Sequence, residues 1–259
     1  MYLYLDNDTW VHRLHPLVRL AGMIAVFIAA FAVERPLWQL PLLAGVVALL
    51  IGTGSLPNIW RLRVLFILVF VMTLLIWTVF YGPDGEPPLF AWRRIHVSQT
   101  APWFGLGMAL KLESFLGAGI LFLSVTRIEE FAYALTRLGV PYKLGFTMTM
   151  AFRLVPVFVD SAATVVQAQR CRGLDFEHGN PWQRLRRYVP VMVPVFMGAL
   201  RRADQMAMAL EARGFQSSRP RTTLDRHPLR AADVAAGVVL LGVTALYLWL
   251  WYRGVLALR

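Results

Sequence analysis

Cysteine is nearly absent from this 259-residue chain: Cys171 stands alone, which excludes an intramolecular disulfide framework and any multi-cysteine zinc or iron–sulfur site. Lysine is almost as scarce, at positions 111 and 143 only, and no G-x-x-x-x-G-K-[ST] stretch occurs, so no Walker phosphate loop exists on this chain. No G-x-S-x-G or H-E-x-x-H constellation is present either. His12, His15, His96, His178 and His227 are scattered, and no cysteine or carboxylate set completes a metal site around them. Asp6 and Asp8 sit where a basic n-region would be, so a cleavable signal peptide is not expected.

What the chain does have is apolar length. Hydrophobic residues make up 58% and mean hydropathy is +0.55, values of a polytopic membrane protein. Five spans are predicted, at residues 17–33, 37–51, 64–80, 103–125 and 231–251, with Trp38, Trp60, Trp77, Trp103, Trp249 and Trp251 near their ends, where amphipathic rings suit the headgroup level. The net charge of +11 matters less than its placement. With the N-terminus inside, 20 of the 26 Lys and Arg fall on the cytoplasmic side and 5 outside, which orients the chain. The basic clusters at 184–187 and 219–230 then read as cytoplasmic retention and lipid-facing charge, and nucleic acid is not an expected partner.

The expected fold is therefore all-α. It divides into an N-terminal membrane part (1–125) with four transmembrane helices, a cytoplasmic or interfacial module (126–230), and a C-terminal transmembrane helix (231–259). The module opens with a short amphipathic helix at 127–138, with Gly139 suited to its C′ position. Two long helices follow, from Pro141 to Gly173 and from Pro181 to Gly214. Each is nearly 50 Å long at about 1.5 Å per residue. Pro156 in the first, and Pro190 and Pro194 in the second, are expected to kink them. Small residues in their later halves, including Ala162, Ala163, Ala168, Gly198, Ala199 and Ala203, predict a close crossing there, with the two ends emerging as a pair.

Those ends share a pattern: Cys171-Arg172-Gly173 and Ala212-Arg213-Gly214. An arginine in a last turn followed by glycine is an ordinary helix ending, favoured by the helix dipole and the left-handed C′ position. Two such endings on two similar helices also offer two planar guanidinium forks, each able to engage carboxylates or carbonyls in a partner's groove. Two like projections point to two like receptors, such as the halves of a dimeric partner.

With these residues in place, the chain resembles the transmembrane T component of energy-coupling factor (ECF) transporters, importers of vitamins or transition-metal ions. Members carry two Ala-Arg-Gly signatures on coupling helices. Ala212-Arg213-Gly214 matches in full, and Cys171-Arg172-Gly173 has Cys for Ala. Arg153-Leu154-Val155-Pro156 looks like the family's Arg-x-x-Pro, and His12-Arg13-Leu14-His15-Pro16 is similar to its His-x-Leu-Asp-Pro, with His15 in place of Asp. The resemblance implies a non-enzymatic subunit of a bacterial or archaeal cytoplasmic membrane. Its partners would be two ABC-type ATPases, which hold ATP and Mg, and a small substrate-capture membrane protein; this chain itself would bind no cofactor. Arg172 and Arg213 would enter the ATPase grooves, with Cys171, Gly173, Ala212 and Gly214 shaping the ends.

Two other readings stay open. A conventional ABC permease subunit would form its own pathway. An intramembrane transferase would need a polar catalytic cluster within the spans, where only Lys111 and Glu113 lie, facing about 200° apart on one helix. Met148, Met150, Met192, Met197, Met206 and Met208 sit on the two long helices, either as plain filler or as an adaptable contact surface.

Overall fold

A computed structural model describes residues 4–5, 7, 9–81, 88–92, 95–98, 100–174, 180–215 and 230–254. Its elements in order are α1 (Pro16–Ala32), α2 (Pro36–Gly52), α3 (Leu56–Phe80), β1 (Pro88–Trp92), β2 (Ile95–Ser98), α4 (Ala101–Val125), α5 (Ile128–Arg137), α6 (Tyr142–Cys171), α7 (Pro181–Arg187), α8 (Val189–Ala212) and α9 (Ala231–Tyr252). By length and composition α3, α4, α6 and α9 can each cross a membrane, while α1 and α2 are apolar at 17 residues each. The protein is an all-α polytopic membrane protein. A small antiparallel hairpin, β1 with β2, occupies part of the segment expected as loop. Phe90, Trp92, Ile95 and Val97 supply the aromatic and β-branched content that a short strand pair favours.

The chain forms two compact units, Met1–Val140 with His227–Arg259, and Pro141–Arg226. In the first, α4 is the central helix, packed against α1, α2 and α3. Its glycines make that approach possible. A Cβ on Gly105 would lie 3.0 Å from the Leu74 carbonyl, and one on Gly107 only 2.5 Å from the Glu34 carbonyl. One core cluster gathers Ala29, Ala30, Val33, Leu42 and Tyr247; a second joins Val46, Leu50 and Ile120. Two polar side chains within the apolar helices donate to internal partners: Asn58 to Ser124 Oγ (2.7 Å), and Gln39 Nε2 to the Ala30 carbonyl (3.2 Å).

The N-terminal motif is a structural hub of this unit. His15 caps α1, its Nδ1 accepting from the Leu17 N–H at 3.2 Å. The His15 N–H in turn donates to Asp233 Oδ1 at 2.6 Å, and the Arg230 N–H donates to Asp233 Oδ2 at 2.7 Å. A carboxylate thus reaches the start of α1 from α9. Next to it, Arg19 pairs with Glu130 of α5 at 2.7 Å and donates to the carbonyls of Leu14 and Val125. Phe122 meets Phe131 edge-on. These contacts hold α5 within the first unit, whereas the sequence groups it with the long helices. Gly139 takes the expected C′ position after α5, at φ 105°.

Candidate functional site: two arginine-glycine helix ends

The second unit contains α6, α7 and α8, and it differs from the expectation in one element. The continuous helix expected from Pro181 to Gly214 is interrupted: α7 ends at Arg187, Tyr188 forms a turn, and α8 begins at Val189. Pro190 accounts for the break. It has no N–H to return to a preceding carbonyl, so it stands in the first turn of a new helix, where none is needed. Pro190 is therefore a helix start, not an interior kink. Pro156 and Pro194 do lie inside α6 and α8.

Both long helices close with the same hydrogen-bond motif. At the end of α6, the Gly173 N–H donates to the Arg170 carbonyl (2.9 Å) and the Leu174 N–H to the Gln169 carbonyl (3.0 Å), with Gly173 at φ 85°. At the end of α8, the Gly214 N–H donates to the Glu211 carbonyl (2.9 Å) and the Phe215 N–H to the Leu210 carbonyl (3.0 Å), with Gly214 at φ 70°. These paired 6→1 and 5→2 bonds are Schellman closures, which need a left-handed residue at C′, and glycine takes that conformation without a Cβ penalty. Arg172 and Arg213 are the C-caps of the two closures and both are exposed. Among the described residues neither guanidinium makes a hydrogen bond or ion pair. The ordinary role of the glycines and the projecting role of the arginines coexist: the closure fixes the backbone and leaves the fork outside it.

The two ends do not emerge side by side. Phe215, directly after Gly214, packs on Phe146 at 4.6 Å between ring centroids and on Tyr142 at 6.3 Å. The end of α8 thus lies against the first turns of α6. Arg172 is at the other end of that 30-residue helix, roughly 30–40 Å away at 1.5 Å per residue. The helices do face each other, on α8 in the later half that carries the small residues, Ala209 among them, but on α6 ahead of Ala162, Ala163 and Ala168. Met150, Arg153, Leu154 and Val157 of α6 face Arg202, Gln205, Met206, Ala209, Leu210 and Arg213 of α8 across an open cleft of about 480 Å³. The structure therefore brings Arg153 to Arg213 and separates both from Arg172. Cys171 is exposed beside Arg172. Pro181 opens α7 at the helix start the sequence places there, with the Arg184 N–H donating to the Asn180 carbonyl at 3.0 Å.

Outside that cleft, α6 and α8 are barely covered, with one buried residue each, Gly145 and Val191. Large apolar side chains lie open along both, among them Phe152, Val159, Met192, Phe196, Met197 and Met208. The aromatic clamp of Tyr142, Phe146 and Phe215 was not foreseen; the four-residue spacing of Tyr142 and Phe146 and the aromatic after Gly214 are its sequence signal.

The profile of the family described as cobalt transport protein (CbiQ) matches residues 7–224, most of the chain and both arginine-glycine ends. The chain belongs to this family. Among curated relatives of this CbiQ-family chain, the energy-coupling factor transporter transmembrane protein EcfT of Clostridium kluyveri is 30% identical over 246 residues, covering 91% of this chain and 90% of that one. EcfT of Thermotoga maritima is 30% identical over 256 residues (95% and 92% covered), and EcfT of Acidaminococcus fermentans 28% over 255 (95% and 94%). The CbiQ-family chain is thus identified as an ECF-type T component, a membrane subunit of a transport system.

Proposed function

We propose that this chain transmits conformational change from two ABC-type ATPases to a small substrate-capture membrane protein, for uptake of a vitamin or a transition-metal ion. It does so in a cytoplasmic membrane, with its N-terminus and the ends of α6 and α8 on the cytoplasmic side. ATP and Mg belong to the ATPases, and this chain holds no catalytic group. The observation that carries the reading is the pair of matching helix closures, each presenting an exposed arginine without a partner among the described residues, set tens of ångströms apart. A single groove cannot receive both. A symmetric ATPase dimer, with one groove per subunit, can. Each rigid closure then lets a groove push on a whole helix instead of a frayed end. The open apolar surface of α6 and α8, with its methionines, is the surface offered to lipid and to the substrate-capture subunit.

The test is co-purification and uptake with Arg172→Ala, Arg213→Ala and the double variant. Each single variant is expected to lower ATPase retention at least tenfold, the scale of one or two charge-assisted hydrogen bonds, and the double to abolish uptake. Chain abundance in the membrane should stay unchanged. Normal ATPase retention and normal uptake in the double variant would rule the coupling role out.

A further inference from the structure

A second feature, in the first unit and independent of the arginine ends, is a trough among α1, α4 and α9. It has a volume of about 670 Å³, within the range of small-molecule sites. Its two ends differ in chemistry. At one level stand Lys111 and Glu34, with Phe31 and Trp251 at the rim; one helical turn deeper the walls are Phe27, Phe115 and Leu248. Lys111 is the unusual member. Its side chain comes from the middle of an apolar helix, only 8% exposed, and Nζ donates to the Phe31 carbonyl at 3.3 Å and lies 5.6 Å from the Phe31 ring centroid. Phe31 is in the last turn of α1, where carbonyls lack helical partners, so Lys111 lies level with the helix end. Trp251 occupies the corresponding end of α9. The polar end of the trough therefore lies where α1 and α9 both finish, and its apolar part runs back along their preceding turns.

An ammonium at the helix-end level of an otherwise apolar channel matches an amphiphile whose oxyanion meets Lys111 and whose acyl chain follows Phe27, Phe115 and Leu248. The charges narrow the choice. One cation and one carboxylate line the same trough, so a net anionic head would meet Lys111 but be repelled by Glu34, while a head carrying both signs matches both. We infer that this trough is a binding site for a zwitterionic aminophospholipid, with its phosphate at Lys111 and its amine at Glu34. An ammonium has three donors, and the Phe31 carbonyl takes one of them.

The probe is native mass spectrometry of the full chain with its co-purifying subunits, delipidated and then reloaded from vesicles of equal phosphatidylethanolamine and phosphatidylglycerol. The wild type is expected to retain one phosphatidylethanolamine in preference to phosphatidylglycerol. Lys111→Met should reduce that retention about tenfold, the loss expected for one charge-assisted contact, and Glu34→Gln should shift the preference toward phosphatidylglycerol. Leu248→Trp fills the trough from a side chain already 42% exposed, so it leaves the core intact and should reduce retention of both lipids. Retention by Leu248→Trp equal to wild type, or a wild-type preference for phosphatidylglycerol, overturns the site. If Lys111→Met fails to fold, the rim variant and the wild-type preference still decide.

Discussion

Arg19 ties together four parts of the N-terminal architecture. Only 5% of its side chain is exposed; it donates to the Leu14 and Val125 carbonyls at 2.8 and 2.9 Å and to the His12 carbonyl, and it pairs with Glu130 at 2.7 Å. One planar cation thus joins the N-terminal turn, α1, the end of α4 and α5. His12, beside it, is half-buried and its pKa is pushed below 6.5, mainly by burial, with the Arg19 charge acting the same way. Removing the guanidinium takes the paired cation from Glu130, which keeps the Arg127 N–H at 3.1 Å, and a donor from three carbonyls, so Arg19→Met is expected to cost about 3–5 kcal/mol. Arg19→Lys should recover only part, because an ammonium cannot span the same fork of acceptors. Thermal unfolding of the detergent-solubilised chain reads this directly; an unchanged midpoint for Arg19→Met contradicts the hub. The sequence shows Arg19 only as one more basic residue at a span end. What it cannot show is that Glu130, 111 positions later, arrives beside it, because pairing between distant residues depends on tertiary packing.

At the scale of elements, periodicity and punctuation carry most of the helix pattern. Pro16, Pro36, Gly139, Gly173 and Gly214 each stand where a helix starts or stops, for reasons local to the backbone. The break at Tyr188 and the hairpin β1–β2 escape that reading. A proline nine residues after another, as Pro190 after Pro181, is compatible with one kinked helix or two separate ones, and the eleven-residue stretch 88–98, of mixed polarity, gives no clear period. The glycines of α4 are a further case: their spacing says small, and only the neighbouring backbones say how close. Gly107→Ala puts a methyl group 2.5 Å from the Glu34 carbonyl, which is backbone and cannot swing aside. It is expected to destabilise by about 1–3 kcal/mol through forced separation of α4 from the α1–α2 turn. Gly119→Ala, where nothing lies within 4 Å, serves as the control on the same helix and should be neutral or slightly stabilising. Equal unfolding temperatures for the two variants would show that the close approach does not hold.

For the whole molecule, what decides is the distance between the two arginine ends. The motifs are legible in sequence because glycine after arginine is a local feature; their separation is not, because it depends on which part of α6 meets which part of α8. Small residues mark surfaces where helices can approach, and Ala209 of α8 does line the cleft, yet on α6 the cleft is lined by Met150, Arg153 and Val157 ahead of its alanines, with Phe215 closing on Phe146. That places Arg213 near the start of α6 and Arg172 at its far end. Two ends side by side would load one site on a partner; two ends this far apart must load two, and a motion that changes the spacing of those sites would change the angle between the helices. The lone cysteine makes the spacing measurable. Cys171 is exposed, so with Ala212→Cys as the second position, a doubly spin-labelled chain is expected to give a distance of roughly 30–40 Å by pulsed electron–electron resonance, from the helical rise between the two ends. A distance below about 20 Å would return the ends to one site. In the presence of the ATPases, the same label pair should broaden or shift between nucleotide-free and ATP-bound states if the helices transmit their closure. An invariant distance across those states, with uptake intact, would mean that α6 and α8 move as one rigid body and that coupling runs through their joint displacement.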